Sequence, residues 1–255
     1  MLLLHGSGID DAALAWTPVI GMLSGRARLV APDLPGYGGT ARLPGRAGIP
    51  EMLDWTDAFR EARGLGPAVV AGLSMGGAVA IGLALERPEA VRALVPVATY
   101  GVSGATPLHP LRYALSRAPG AAAAIAGIAR GAVGARRALG AIYGDASRID
   151  AETLAAFRAA AARQSRAPAM TAFLRAEMGP ARFVTNYAAR LAEIAAPITF
   201  VHGTRDRIVP ATAIRAAANS CGAARRWTDA GHWPNRETPA AVAHAIAGHL
   251  PPRRG

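Results

Sequence analysis

Three residues of this 255-residue chain have the types and settings from which a nucleophile could be built: Ser74, Asp206 and His232. Ser74 is the centre of Gly72-Leu73-Ser74-Met75-Gly76-Gly77, between an apolar run at residues 68–71 and an apolar helical stretch at 75–86. A serine on so short a strand-to-helix turn is held in a strained backbone conformation with its hydroxyl exposed. Glycine suits positions 72 and 76 because side chains there would collide across the turn. The helix that follows aims its N-terminus at the serine, and the Met75 N–H is placed to donate to a developing oxyanion.

A serine hydroxyl needs a base. Of the six histidines, His232 sits in Ala230-Gly231-His232-Trp233-Pro234, a loop just before the final helix, from which an imidazole can reach the ends of strands. His244 and His249 read as surface of that helix. His202 reads as a packed, hydrogen-bonded residue at a strand end, and His5 as a residue that holds its loop. The base in turn needs an acid to set its tautomer. Asp206 follows the run at 197–201 within His202-Gly203-Thr204-Arg205-Asp206-Arg207-Ile208-Val209-Pro210. Asp229, three residues before His232, is the competitor and reads as a loop residue; Asp33 lies before the serine. His5-Gly6-Ser7-Gly8 follows the first strand and offers a second oxyanion donor, the N–H of Ser7 or of Gly8. Gly8, Trp233 and His109 are candidate substrate contacts.

These residues require elements that bring them to one rim. Nearly unbroken apolar runs at 2–5, 27–31, 68–71, 91–98 and 197–201 read as buried parallel strands. Helical stretches at 12–23, 50–63, 75–86, 211–219 and 239–249 alternate with them. The pattern predicts an α/β fold, a mostly parallel sheet with helices on both faces. Residues 1–99 and 192–255 form its core. Residues 100–191 break the rhythm: they are rich in Ala and Arg, have no β run, and place Leu154, Phe157 and Ala161 on one helical face. Pro107, Pro110, Pro119 and Pro168 divide them into short helices. They read as an all-helical lid, or cap, over the strand ends.

Composition narrows the classes further. The net charge is +11 with no lysine, so all 28 basic residues are arginine, a pattern of GC-rich coding more than of polyanion binding. Residues 107–190 carry 12 Arg and 4 acidic residues, the greater part of the excess. Neither stacking aromatics nor a nucleic-acid-binding module accompanies them. No run approaches the ~18 apolar residues of a membrane span, and residues 1–4 lack a basic n-region. A cytoplasmic protein acting on a small molecule is expected, with no nucleic acid or membrane partner. The lone Cys221 excludes an internal disulfide, and no metal or other cofactor is expected.

The motifs Leu-His-Gly-Ser-Gly (4–8), Pro-Asp-Leu-Pro-Gly-Tyr-Gly (32–38), Gly-Leu-Ser-Met-Gly-Gly, His-Gly-Thr-Arg-Asp-Arg-Ile-Val-Pro and Ala-Gly-His-Trp-Pro together resemble the α/β-hydrolase superfamily over nearly the whole chain. The resemblance implies hydrolysis through an acyl-enzyme on Ser74, in the order Ser74, Asp206, His232, beneath a helical cap. A carboxylic ester or lactone is the favoured substrate. The alternatives are carbon–carbon hydrolysis of vinylogous ketones from aromatic ring cleavage, and perhydrolase or haloperoxidase-like activity. The carbon–carbon branch commonly has asparagine before the serine, where this chain has Leu73.

Two strands usually precede the His-Gly strand in this family, and here that strand starts at Met1. Their absence leaves the 27–31 strand as a bare edge, which a late start-codon assignment or a covering second copy, a homodimer, would explain. Two rivals remain. Gly6-Ser7-Gly8-Ile9-Asp10-Asp11 imitates a dinucleotide-binding turn, with Asp11 in the third-glycine place. The fold could also serve as a catalytically silent binding protein.

Overall fold

The computed structural model describes residues 1–45, 47–106, 108–166 and 169–252. Five parallel strands lie in the order β1 (Leu2–Leu4), β2 (Ala68–Leu73), β3 (Val91–Val97), β4 (Thr199–Gly203) and β5 (Ala224–Thr228). Because strand side chains alternate, Leu3, Val69, Ala71 and Leu73 enter one core while Leu2, Leu4 and Val70 enter the other. The first core is closed by α1 (Ala12–Leu23) and α11 (Pro239–Ala247), the second by α2 (Ile49–Ala62), α3 (Met75–Glu86) and α9 (Ala211–Ser220). The short α10 (Pro234–Glu237) precedes α11. This is the expected α/β sheet with helices on both faces.

The expected strand at 27–31 is reduced to one bridge, Leu2 to Val30. The ladder starts well: the Met1 amino group donates to the Arg28 carbonyl, Val30 N–H to Met1, and Leu3 N–H to Val30. Its next rung would need an N–H from Pro32, which has none. No further strand lies beyond Val30 among the described residues, so the two strands that usually precede the His-Gly strand are missing from this sheet. At the opposite edge, β5 was not expected, because Ala224, Arg225 and Arg226 are exposed and interrupt any apolar run. Charged side chains suit an edge strand.

Between β3 and β4 lie α4 (His109–Arg117), α5 (Ala121–Ile128), α6 (Ala132–Ile142), α7 (Ala151–Arg166) and α8 (Ala169–Glu177). On α7, Phe157 and Ala161 are buried and Leu154 packs partly beside them, the face expected from their spacing. Pro119 separates α4 from α5. Pro110 does not break a helix; it occupies the first turn of α4, where its missing N–H costs nothing. Pro107 and Pro168 lie outside the described residues.

Candidate active site

Ser74 follows β2 and caps α3 with φ 48° and ψ −109°, a region L-residues avoid. The turn is over-determined. The Ser74 N–H donates to Val97 O (2.9 Å), and its carbonyl accepts from Gly77, Ala78 and Tyr100. A Cβ on Gly72 would run into the Gly76 carbonyl, and one on Gly76 into the carbonyls of Leu4 and His5. Backbone from β1, β2 and α3 therefore meets with no room for side chains. Met75 is fully buried as the first residue of α3.

The loop after β1 is organised by two buried acids. Asp10 accepts from the N–H groups of Gly6 (2.8 Å) and Asp11 (2.9 Å), and burial pushes its carboxyl well above the ordinary range. Asp11 caps α1 through Leu14 N–H and pairs with Arg163 of α7. Carboxylates thus fill the α1 N-terminus, where a dinucleotide phosphate would have to sit. With Gly6 N–H engaged, the N–H groups of Ser7 and Met75 have no acceptor among the described residues. His5 holds the loop as expected. Its Nε2 accepts from Leu34 N–H (2.9 Å), so Nδ1 carries the proton and donates to Gly6 O (2.7 Å).

His232 lies on the loop between β5 and α10, and its Nδ1 stands 2.8 Å from Asp206 Oδ2. Asp206 follows β4 with its side chain wholly buried. Its Oδ1 accepts from Ile208 N–H (2.7 Å) and Val209 N–H (3.0 Å). Burial alone would raise the Asp206 carboxyl, but the hydrogen bond and charge of His232, with Val209 N–H, hold it below its ordinary value. A carboxylate beside Nδ1 keeps that proton in place and leaves Nε2 free to act as base. Asp229 is exposed and paired with Arg148 and Arg205, both at 2.8 Å.

Ser74 and His232 face the same cavity of about 310 Å³, with Ser7, Gly8 and Trp233 also in its wall. No hydrogen bond joins Ser74 to His232 in this structure, among the described residues. A second cavity of about 170 Å³ adjoins the first, sharing Ser7, Ser74 and Ile208 and continuing past Tyr100, Arg112 and Glu177. His109 does not reach either wall. It is buried at the start of α4, with Nε2 2.9 Å from Gly179 O and its ring edge-on to Phe183 at 4.9 Å. His202 is packed against Trp227 but not hydrogen-bonded; its Nε2 lies 3.8 Å from Asp206 Oδ2, and burial holds its pKa down against the pull of that charge.

Two carboxylates near the site carried no recognisable sequence signal. Glu237 of α10 accepts from Gly231 N–H (2.7 Å) through Oε1 and from Gly144 (2.9 Å) and Asp145 (3.2 Å) through Oε2. His232 N–H donates to Ile142 O at 2.7 Å. The His232 loop is thereby tied to the inserted helices as well as to the sheet. Glu177 of α8, 2% exposed, accepts from Ile49 N–H (2.7 Å), Tyr100 Oη (3.0 Å) and Thr185 N–H (3.2 Å). Cys221 is half-buried, and burial raises its thiol pKa, which makes it a poor nucleophile. No group of three potential metal ligands occurs among the described residues, and no helix there is long and apolar enough to cross a membrane.

Comparison with known proteins places this arrangement. The pimeloyl-[acyl-carrier protein] methyl ester esterase of Aromatoleum aromaticum is 30% identical over 245 residues, 92% of this chain and 91% of that one. The 2-hydroxy-6-oxo-2,4-heptadienoate hydrolase of Pseudomonas putida is 35% identical over 105 residues, 40% of this chain and 38% of that one. The (E)-2-((N-methylformamido)methylene)succinate hydrolase of Acinetobacter baylyi is 33% identical over 92 residues, 36% of this chain and 34% of its own. These last two matches thus span little more than a third of the relatives' length. Among solved structures, the meta-cleavage product hydrolase of Pseudomonas fluorescens IP01 superposes with a TM-score of 0.78 at 20% identity, covering 97% of this chain and 89% of that one. A thermophilic esterase from Thermogutta terrifontis gives 0.74 at 24%, covering 97% and 87%. Residues 1–245 match the family model described as the alpha/beta hydrolase family, and the chain belongs to that family as an enzyme of the hydrolase type.

Proposed function

We propose that the protein is a serine hydrolase that cleaves a carboxylic ester or lactone through an acyl-enzyme on Ser74. The observation that carries this reading is the 2.8 Å contact between His232 Nδ1 and a buried, ionised Asp206, with His232 and the strained Ser74 in one cavity wall. His232 Nε2 takes the Ser74 proton as Oγ attacks the carbonyl carbon. The carbonyl π electrons move to oxygen, and the unengaged N–H groups of Ser7 and Met75 donate hydrogen bonds to the resulting oxyanion. The oxyanion then re-forms the carbonyl and expels the alcohol, which takes its proton from His232. Water, deprotonated by the same imidazole, frees the acid and restores Ser74. The insertion at 100–191 serves as the lid: Ile125, Ala138, Ile142, Phe157 and Met170 close the cavity over Ser74.

The A. aromaticum relative, matched over 92% of this chain, is a methyl ester esterase, which supports this substrate class. Carbon–carbon hydrolysis is the second reading, supported by the P. putida relative over part of the chain. A panel of 4-nitrophenyl esters and ring-cleavage dienones separates the two. Ester turnover that falls on the order of 10⁴–10⁶-fold in Ser74→Ala supports the proposal. Dienone turnover without ester turnover supports the second reading, and wild-type activity in Ser74→Ala overturns both.

A further inference from the structure

Where the two cavities meet at Ser74, they differ in chemistry. The lobe toward His232 is walled by Ile9, Ile125, Ile142, Phe157, Met170 and Trp233, and no carboxylate or guanidinium lines it. The other lobe holds Ser103, Thr106, Tyr100, Glu177 and Arg112. Its two charges are in opposite situations. Glu177 is committed: both oxygens accept hydrogen bonds, and Tyr100 must stay a donor, because burial and the Glu177 charge push its hydroxyl pKa far up. Among the described residues, Arg112, in the first turn of α4, gives one side-chain hydrogen bond, from Nη1 to Thr106 Oγ1 at 3.2 Å. Among the described residues no carboxylate lies within 4 Å of its guanidinium, whereas the nearby Arg117 is spent on Met178 O and the Tyr113 ring.

A guanidinium offers five N–H donors in a planar fork that matches a carboxylate. A half-buried one lining a substrate cavity with most donors unspent is a site for an anion. We infer that the Arg112 lobe is a carboxylate subsite, so that the preferred ester carries a carboxylate a few methylenes from the bond that Ser74 cleaves. The apolar lobe then takes the hydrocarbon part at the other side of that bond. This inference rests on the ester-hydrolase reading of Ser74 and names the substrate class within it.

The test compares mono(4-nitrophenyl) glutarate, whose acyl chain ends in a carboxylate, with neutral 4-nitrophenyl pentanoate. In the wild type the ratio of kcat/KM, glutarate over pentanoate, should exceed one. In Arg112→Gln it should fall roughly 10- to 100-fold, the loss expected when a charge-assisted hydrogen-bonded pair is removed. The change should lie mainly in KM, and Arg112→Lys should recover part of it. Adipate should compete with pentanoate for the wild type and lose that ability in Arg112→Gln. A ratio that does not change on removing the guanidinium overturns the subsite while leaving the serine reading intact. If neither ester is turned over, the ester reading fails. Calorimetric titration of adipate into the wild type and Arg112→Gln then tests the subsite by itself: equal or no binding overturns it, and binding lost in the variant upholds it.

Discussion

Replacing Glu237 by alanine should both loosen the protein and slow it. Its carboxylate accepts three backbone N–H groups, from Gly231 at 2.7 Å, Gly144 at 2.9 Å and Asp145 at 3.2 Å. Each donor left unpaired in a buried place costs about 1–3 kcal/mol. Gly231 is buried and falls at the upper end; Gly144 and Asp145 are half-buried, can reach water, and fall at the lower end. Against this stands the expense of burying the carboxylate, which raises its pKa despite the three hydrogen bonds. The net loss is roughly 2–4 kcal/mol, which for a chain of this size lowers Tm by about 5–15 °C. Glu237→Gln keeps one acceptor and turns an amide toward N–H, so its loss should be smaller, about 1–3 kcal/mol. Because Gly231 precedes His232, kcat should also fall, by up to about 100-fold if the imidazole moves by an ångström. Differential scanning calorimetry with steady-state kinetics reads both. A Glu237→Ala protein whose Tm and kcat match the wild type would refute the idea that this carboxylate holds the His232 loop.

Other expectations follow from single contacts. Asp206→Asn should reduce kcat/KM roughly 10⁴-fold, because an amide favours the wrong imidazole tautomer. Asp229→Asn should change it less than about 3-fold, since among the described residues the Asp229 carboxylate pairs with the solvent-accessible guanidinium groups of Arg148 and Arg205, and such pairs contribute about 0–1 kcal/mol; a larger effect of Asp229 would reassign the acid. Gly72→Ala should abolish soluble expression or lower Tm sharply, because the added methyl meets the Gly76 carbonyl; a folded variant with wild-type Tm would contradict the tightness of the turn. His5 should make stability pH-dependent. Burial, opposed by the Gly6 hydrogen bond, holds its folded pKa below the ordinary value of about 6.5. The unfolded chain therefore takes up the proton first, so the contribution of His5 is full above that value and shrinks as pH falls toward its folded pKa. Urea unfolding of wild type and His5→Asn should show a stability gap at pH 7.5 that narrows at pH 5.5; a gap that stays constant would argue against a neutral His5.

The sequence showed what short-range patterning can show. The bounds of α1 and α3, read from apolar helical stretches and, for α3, from the Ser74 turn, match the structure. The candidates Ser74, Asp206 and His232 stood out because each sits in a short motif beside a strand or helix end. What escaped depends on pairing at long range. β5 forms against β4 although three of its five residues are exposed, and edge strands need no apolar run. The 27–31 run looked complete until the register put Pro32 where an N–H was required. Glu237 and Glu177 act on backbone up to 93 and 128 residues away, and a lone glutamate gives no local sign of that. Arg112 is one of twelve arginines between 107 and 190, and only the fold shows which one lines the cavity.

The central claim is that the hydroxyl at position 74 is made nucleophilic by His232. Incubation with a fluorophosphonate, followed by intact-mass analysis and peptide mapping, measures this directly. One adduct should form, on the peptide carrying Ser74, and its rate of formation should collapse in His232→Ala. An unlabelled wild-type protein, or an adduct on another residue, would contradict the account.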